Sequence, residues 1–202
     1  MEERVFFGGD AIRLEGLHAD AGGGRGVVIS HPHPLMGGDM ENPVVEILSE
    51  VLFAAGISTL RFNFRGVGRS AGAFDGGQGE QEDVLAAVSF LEERGNGEVA
   101  LAGYSFGSWV NAAVLVRKRL LPAILVAPPI TLCEFDFDAL RGRVGAILCG
   151  DRDQFCPAEL VRIIADDLPC RLDLIPGADH FFMAKETELG LGIKAFAAQL
   201  DK

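Results

Sequence analysis

Short apolar runs alternate along this chain with longer segments in which apolar residues recur every three or four positions. Continuous short runs are typical of strands covered on both faces in a parallel sheet, and the longer periodic segments are typical of amphipathic helices. The pattern predicts strands at residues 27–30, 58–64, 99–103, 123–127, 144–149 and 172–175. It predicts helices at residues 43–55, 80–94, 108–120, 157–167 and 185–200.

Turn and cap residues add detail at the amino-terminal end. Two alternating runs, residues 5–7 and 12–18, flank Gly8-Gly9-Asp10, which predicts an opening β-hairpin. Asn42 followed by Pro43 is typical of a helix start, with Asn42 as the N-cap and Pro43 at the first helical position. Gly56 then marks the end of that helix.

The order of these elements predicts an α/β fold. Strands that alternate with helices favour a mostly parallel, twisted sheet with helices on both faces, and 202 residues are enough for one domain spanning residues 1–202. In such folds ligands bind beyond the carboxyl ends of the strands. Residues that directly follow a predicted strand are therefore the first candidates for chemistry.

Composition narrows the range of partners and compartments. The chain carries 29 acidic against 18 basic residues, a net charge of −11, so nucleic acid and anionic membrane surfaces are disfavoured as partners. The four cysteines form no C-x-x-C pair, no apolar run reaches the length of a membrane span, and no signal-peptide pattern follows Met1. We therefore expect a cytoplasmic protein that acts on a small molecule; its oligomeric state stays open.

The pentapeptide Gly103-Tyr104-Ser105-Phe106-Gly107 matches G-x-S-x-G and lies between a predicted strand and a predicted helix. A serine on such a sharp turn has a strained backbone, and the chain packs so tightly around it that glycine is needed on both sides. The adjoining helix N-terminus favours developing negative charge. Ser105 is thus a candidate nucleophile.

A serine nucleophile needs a base, and the base needs an orienting acid. Of the four histidines, His180 follows the last predicted strand, and Asp151 and Asp153 follow the strand at 144–149. The chain order serine, aspartate, histidine is that of one known triad arrangement. From the residues alone, either aspartate could be the acid.

Three segments together resemble the α/β-hydrolase superfamily, in particular its small lidless bacterial serine hydrolases and esterases. They are G-Y-S-F-G at 103–107, R-F-N-F-R-G-V-G-R-S at 61–70 and S-H-P-H-P-L-M-G-G at 30–38. The resemblance runs from about residue 27 to the carboxyl terminus. It implies that the acid is Asp153, which matches a G-x-x-D-x-x-x-P pattern at 150–157, and that no metal or cofactor is needed.

An acyl-transfer intermediate needs two N–H donors for its oxyanion. One is expected from Phe106, the residue after the nucleophile. The resemblance of His31-Pro32-His33-Pro34 to the superfamily's H-G-x-P places the other at His33, with Leu35 as the alternative, since Pro32 and Pro34 have no N–H. Pro32 stands where the superfamily commonly has glycine, which implies a stiffer loop.

Two other interpretations are weaker. His31 and His33 have a spacing that could ligate zinc, but no third ligand has convincing spacing. Residues 66–71 match G-x-G-x-x-A, but the glycine-rich sequence that follows cannot open the helix that a dinucleotide site requires.

Several neighbours of these positions are candidates for supporting roles. Leu35, Trp109 and Phe181 are candidate lining residues of a substrate pocket. Arg65 is expected to pair with Glu80 or Asp83 and so to fix the loop at 66–79.

Only about sixteen residues, 128–143, separate two successive predicted strands where other members of this fold insert a cap. We therefore expect an open, shallow site that favours small soluble esters or thioesters, as in a carboxylesterase. Two alternatives remain: a peptidase or amidase that uses the same groups, and a non-catalytic binding module on the same scaffold.

Overall fold

The computed structural model describes residues 2–9 and 12–200. Its eight strands are β1 (Glu3–Phe7), β2 (Leu14–Ala19), β3 (Arg25–Ser30), β4 (Ser58–Phe62), β5 (Glu98–Tyr104), β6 (Ala123–Val126), β7 (Val144–Gly150) and β8 (Arg171–Ile175). Its five α-helices are α1 (Pro43–Ala54), α2 (Gln78–Glu93), α3 (Phe106–Arg117), α4 (Ala158–Asp167) and α5 (Glu186–Ala197). A short 3-10 turn, Pro34–Met36, follows β3.

All eight strands form one sheet in the order β1-β2-β4-β3-β5-β6-β7-β8. β1 pairs antiparallel with β2, as the hairpin prediction requires, and β2 pairs antiparallel with β4. The remaining pairs are parallel. The α/β prediction is confirmed; Asp10, predicted in the hairpin turn, lies outside the described residues.

Helices cover both faces of the sheet, and consecutive strand residues point to opposite faces. Val28 packs into a cluster that includes residues of α2 and α3, whereas its neighbours Val27 and Ile29 pack with residues of α1 and α5. All three side chains are fully buried. This explains why the strand at 27–30 is apolar throughout rather than alternating.

Element boundaries differ from the sequence prediction by a few residues. β4 ends at Phe62 rather than at residue 64: the Asn63 N–H still donates to the Glu15 carbonyl of β2, but the Phe64 N–H donates to the ring of His31 instead of to a strand. α3 begins at Phe106 rather than at residue 108. The predicted N-cap of α1 is confirmed, since Asn42 Oδ1 accepts from the Val44 N–H at 3.0 Å.

The strand order places the loops after β3 and β5 side by side. β3 lies between β4 and β5, with Ser30 paired to Gly103 at the carboxyl ends of β3 and β5. From β3 the chain therefore proceeds first to β4 on one side and then to β5 on the other. This reversal of direction is the place where open α/β sheets form their binding crevice.

Two further features of the fold concern its connections and its helices. The connection between β6 and β7 contains no α-helix or strand, and all of its residues are described. Within the described ranges, no helix combines the length and the apolar character that crossing a membrane would need.

Candidate active site

Ser105 occupies the turn between β5 and α3 with a backbone conformation that non-glycine residues rarely adopt. Its φ is +53° and its ψ is −119°. Hydrogen bonds hold it there: the Ser105 N–H donates to the Val126 carbonyl at 2.9 Å, and the Ser105 carbonyl accepts from the Ser108 hydroxyl at 2.6 Å. A strained residue that is fixed in this way indicates a functional position.

The two glycines of the pentapeptide are required by close backbone contacts. A Cβ on Gly103 would lie 2.6 Å from the Gly107 carbonyl, and a Cβ on Gly107 would lie 2.3 Å from the Ser30 carbonyl oxygen. The second contact presses the start of α3 against the end of β3. The strand that leads into the loop at 31–38 therefore lies directly beside the Ser105 turn.

A continuous chain of hydrogen bonds joins the three residues predicted to act together. His180 Nε2 lies 2.9 Å from Ser105 Oγ, and His180 Nδ1 lies 2.8 Å from Asp153 Oδ2. A carboxylate can only accept, so Nδ1 donates to Asp153 and Nε2 accepts the Ser105 hydroxyl proton. Asp153 is 3% exposed and His180 is 6% exposed, which shields both polar contacts from water.

The second carboxylate oxygen fixes the orientation of Asp153. Oδ1 accepts from the N–H groups of Phe155 at 2.8 Å and Cys156 at 3.1 Å. The alternative acid, Asp151, is exposed and accepts from the Gly177 N–H at 2.7 Å instead. The structure therefore brings Asp153, and not Asp151, against the imidazole.

Aromatic rings surround the His180 imidazole. Phe155 and Phe181 meet it edge-on with centroid distances of 4.9 and 5.5 Å, and Tyr104 lies at 5.6 Å. The Tyr104 hydroxyl also donates to the His180 carbonyl at 3.0 Å. Sequence reasoning missed this contact, because a tyrosine at the end of an apolar strand gives no signal of its distant partner.

His31 braces the loop after β3. Its Nε2 accepts from the Phe64 N–H at 3.0 Å, so Nδ1 carries the proton and donates to the Pro32 carbonyl at 2.6 Å. Burial of the ring lowers its pKa to about 4. Both ring nitrogens are thus engaged in hydrogen bonds, which leaves neither free to ligate a metal ion.

The two residues predicted to supply the oxyanion donors contact each other, and Phe106 directly follows Ser105. The rings of His33 and Phe106 are 4.9 Å apart, and Phe106 is the first residue of α3, where a helix leaves its N–H groups without intrahelical acceptors. Neither backbone N–H donates to another described residue. The N–H of the alternative donor, Leu35, is already directed at His33 Nδ1 at 3.2 Å.

The three predicted pocket residues occupy different surroundings. Leu35 is 74% exposed on the loop after β3, and Phe181 is 59% exposed on the loop after β8, next to His180. Trp109 is half-buried, packs on the Phe106 ring at 5.6 Å and donates from Nε1 to the Glu134 carbonyl at 2.8 Å. Trp109 therefore links α3 to the β6–β7 connection, whereas the other two stand at the rim.

The loop between β4 and α2 forms a wall beside His33, one of the two predicted oxyanion donors. Phe74 contacts His33 at a ring distance of 4.9 Å. The buried Glu80 accepts from the N–H groups of Asp75 at 2.9 Å and Gly77 at 2.7 Å, and so holds this wall in place.

Arg65 secures the beginning of the same loop. Its guanidinium contacts the buried Asp83 carboxylate at 2.7 Å, and its backbone N–H donates to the same group at 2.9 Å. The predicted pairing of Arg65 with an acid of α2 is confirmed, with Asp83 as the acid. Glu80 instead accepts hydrogen bonds from backbone N–H groups of the loop.

No family model matches the chain. An uncharacterized protein from Rickettsia prowazekii (strain Madrid E) is 34% identical over 208 residues, which cover 96% of this chain and 87% of the relative. The structure of an α/β serine hydrolase homologue from Coxiella burnetii is 34% identical, with a TM-score of 0.87 over 96% of each chain.

An α/β serine hydrolase without a lid, from Xanthomonas campestris, is 27% identical with a TM-score of 0.88, covering 98% of this chain and 94% of that one. These neighbours support a general role as a hydrolase. With a matching eight-stranded sheet and similarity over nearly the full length, the chain belongs to the α/β-hydrolase superfamily.

Proposed function

We propose that this protein is a serine hydrolase of the carboxylesterase type, which cleaves small soluble esters or thioesters through an acyl-enzyme on Ser105. The observation that carries the proposal is the hydrogen-bonded chain from Ser105 through His180 to Asp153. It lies at the carboxyl ends of the strands, where substrates reach this class of sheet.

The reaction follows from the proton positions in that chain. Ser105 Oγ attacks the ester carbonyl carbon while its proton passes to His180 Nε2, and Asp153 stabilises the imidazolium that forms. The N–H groups of Phe106 and His33 bind the oxyanion. The imidazolium then protonates the leaving alcohol or thiol, and water repeats the sequence on the acyl-enzyme to release the acid.

The substrate class rests on what borders the site. The β6–β7 connection offers no helix to cover an acyl chain, and the rim residues Leu35 and Phe181 are exposed. Small esters and thioesters need little enclosure and carry good leaving groups. Amides have poorer leaving groups and need closer support, so a peptidase or amidase with the same residues is the second candidate.

The direct test is the hydrolysis of p-nitrophenyl acetate by the Ser105→Ala variant. We expect kcat/KM to fall by at least about 1,000-fold, because the nucleophile is lost, while the circular dichroism spectrum and the melting temperature stay near those of the wild type. Ser89→Ala, which removes an exposed serine hydroxyl of α2, is the matched control and should keep full activity.

Two further measurements separate the alternatives. A fluorophosphonate probe should label the wild type at Ser105 and leave Ser105→Ala unlabelled; no labelling of the wild type would favour a binding module. A peptide p-nitroanilide compared with an ester of the same acyl group should be the poorer substrate. Faster cleavage of the anilide would instead favour the amidase.

A further inference from the structure

We propose that Tyr104 is a positioning residue for this reaction, whose hydroxyl fixes the His180 backbone so that the imidazole stays aligned between Ser105 and Asp153. The inference rests on the proposed function, because it assigns a part to a residue that touches neither substrate nor reacting atoms. It concerns one buried hydrogen bond.

The contact is well defined and shielded from water. The Tyr104 hydroxyl donates to the His180 carbonyl at 3.0 Å, and Tyr104 is 2% exposed. Among the described residues, no other hydrogen bond reaches that carbonyl. Burial also raises the pKa of the phenol well above its ordinary value, which keeps the donor protonated.

The loop that carries His180 needs an external anchor. Phe182 and Ala184 have φ angles of +55° and +58°, in the left-handed region that costs energy for residues with a Cβ. Such strain persists only when surrounding contacts hold it. Tyr104 supplies two of them, the hydrogen bond to His180 and a ring contact to the buried Phe182 at 6.4 Å.

The anchor itself is rigid and directly adjacent to the nucleophile. Tyr104 is the last residue of β5 and pairs with Val126 of β6, and Ser105 is the next residue in the chain. The same strand end therefore fixes the Ser105 backbone and, through the phenol, the His180 backbone. This strand end therefore helps to set the separation of Ser105 Oγ and His180 Nε2.

This arrangement makes a particular kinetic prediction. Loss of the phenol hydroxyl loosens the imidazole but leaves the rim and the oxyanion donors unchanged, so the defect should fall on kcat rather than on KM. A looser contact with Asp153 also stabilises the imidazolium less. The acid limb of the kcat/KM profile should therefore move to lower pH.

The experiment uses Tyr104→Phe with p-nitrophenyl acetate. We expect kcat to fall about 10-fold, since small misplacements of a catalytic group are costly, with KM changed less than about twofold. Thr59→Val is the matched control, because it removes a different buried hydroxyl, which lies in β4 and bonds to the Ser49 hydroxyl of α1 at 3.0 Å. It should lower stability but leave kcat and the pH profile unchanged.

A second pair of variants keeps the test valid if Tyr104→Phe unfolds at the assay temperature. Tyr104→4-fluorophenylalanine fills the space of the hydroxyl but cannot donate, whereas Tyr104→4-aminophenylalanine restores a donor. We expect the fluoro variant to show the same loss of kcat and the amino variant to recover most of it.

The outcomes distinguish the two proposals. Wild-type kcat and an unmoved pH profile in the folded Tyr104→Phe or fluoro variant would overturn the positioning role and leave the proposed function intact. Equal losses in the fluoro and amino variants would overturn it too. A wild-type protein that neither turns over the ester nor reacts with the fluorophosphonate would refute the proposed function itself.

Discussion

Asp153 and Asp151 are two residues apart, yet only one carboxylate faces His180. Asp153 is held by the N–H groups of Phe155 and Cys156 and contacts the imidazole at 2.8 Å. Asp151 lies exposed and bonds to Gly177. The two residues therefore allow an internal comparison of the proposed orienting acid with a neighbour of the same charge.

We expect Asp153→Asn to lower kcat by roughly 1,000-fold to 10,000-fold, because the amide cannot hold the imidazole in the tautomer that accepts the serine proton. Steady-state hydrolysis of p-nitrophenyl acetate measures this. Asp151→Asn should stay within about threefold of the wild type. The reverse order of losses would assign the acid to Asp151.

His31 is a second residue whose surroundings set its protonation. Its pKa is about 4 because the ring is buried, while in the unfolded chain the ordinary histidine value of about 6.5 applies. Between those values the unfolded chain binds a proton at this ring and the folded chain does not. The folded state should therefore lose stability as the pH falls through this range, by roughly 3 kcal/mol in total.

The His31→Gln variant tests this contribution. Glutamine can accept from Phe64 but does not titrate, so its free energy of unfolding should fall less between pH 7 and pH 4 than that of the wild type. Urea denaturation at a series of pH values gives the comparison. Parallel curves for the two proteins would contradict the assignment.

The limits of sequence reasoning are visible at these same residues. The G-x-S-x-G spacing and the positions after strands led to Ser105, His180 and an aspartate after β7, because each signal is local. The partners of Tyr104 and His31 lie 76 and 33 positions away in the chain. No local pattern encodes contacts of that kind, so only the packed structure shows them.

At the scale of elements, boundaries shifted where tertiary contacts overrode local preference. α3 was predicted to begin at residue 108, but it begins at Phe106, directly after the strained Ser105, and Gly107 lies within it where β3 approaches closely. The ends of α3 and α5 were predicted three residues too late, at 120 and 200 instead of Arg117 and Ala197. Element order and type, which depend on long periodic segments, were predicted correctly.

The junction between β4 and α2 depends on the Arg65–Asp83 pair. Asp83 is fully buried, so removal of its partner leaves an unpaired carboxylate in the core. We expect Arg65→Met to lower the free energy of unfolding by about 3 kcal/mol, measured by urea denaturation.

The control is an exposed ion pair between α3 and α2, whose acid is the residue next to Asp83. Arg117 pairs with Glu82 at 2.7 Å, but both side chains are about half exposed. Arg117→Met should cost less than about 1 kcal/mol, because exposed ion pairs contribute little. Equal effects of the two substitutions would show that the Arg65 pair does not secure the loop.

At the scale of the whole molecule, the candidate site opens at the carboxyl ends of the strands. Leu35, Met36, Phe181 and Met183 are exposed on the loops that carry the predicted oxyanion donor and the proposed base. An uncovered site gives long acyl chains little buried surface. We expect kcat/KM for p-nitrophenyl esters to fall from butyrate to decanoate, with no jump in rate when the ester passes its solubility limit. A rise in rate at that limit would argue against an open site.

The lack of a cover over the candidate site also affects how a catalytic cycle would finish. In enzymes of this kind that close over their substrate, a segment must swing away before the acid can depart, and that movement often limits turnover. Here the short β6–β7 connection has no helix to swing. The slowest event should therefore be attack by water on the acyl-serine, so the lifetime of that ester bond, rather than any motion of the polypeptide, would set the pace.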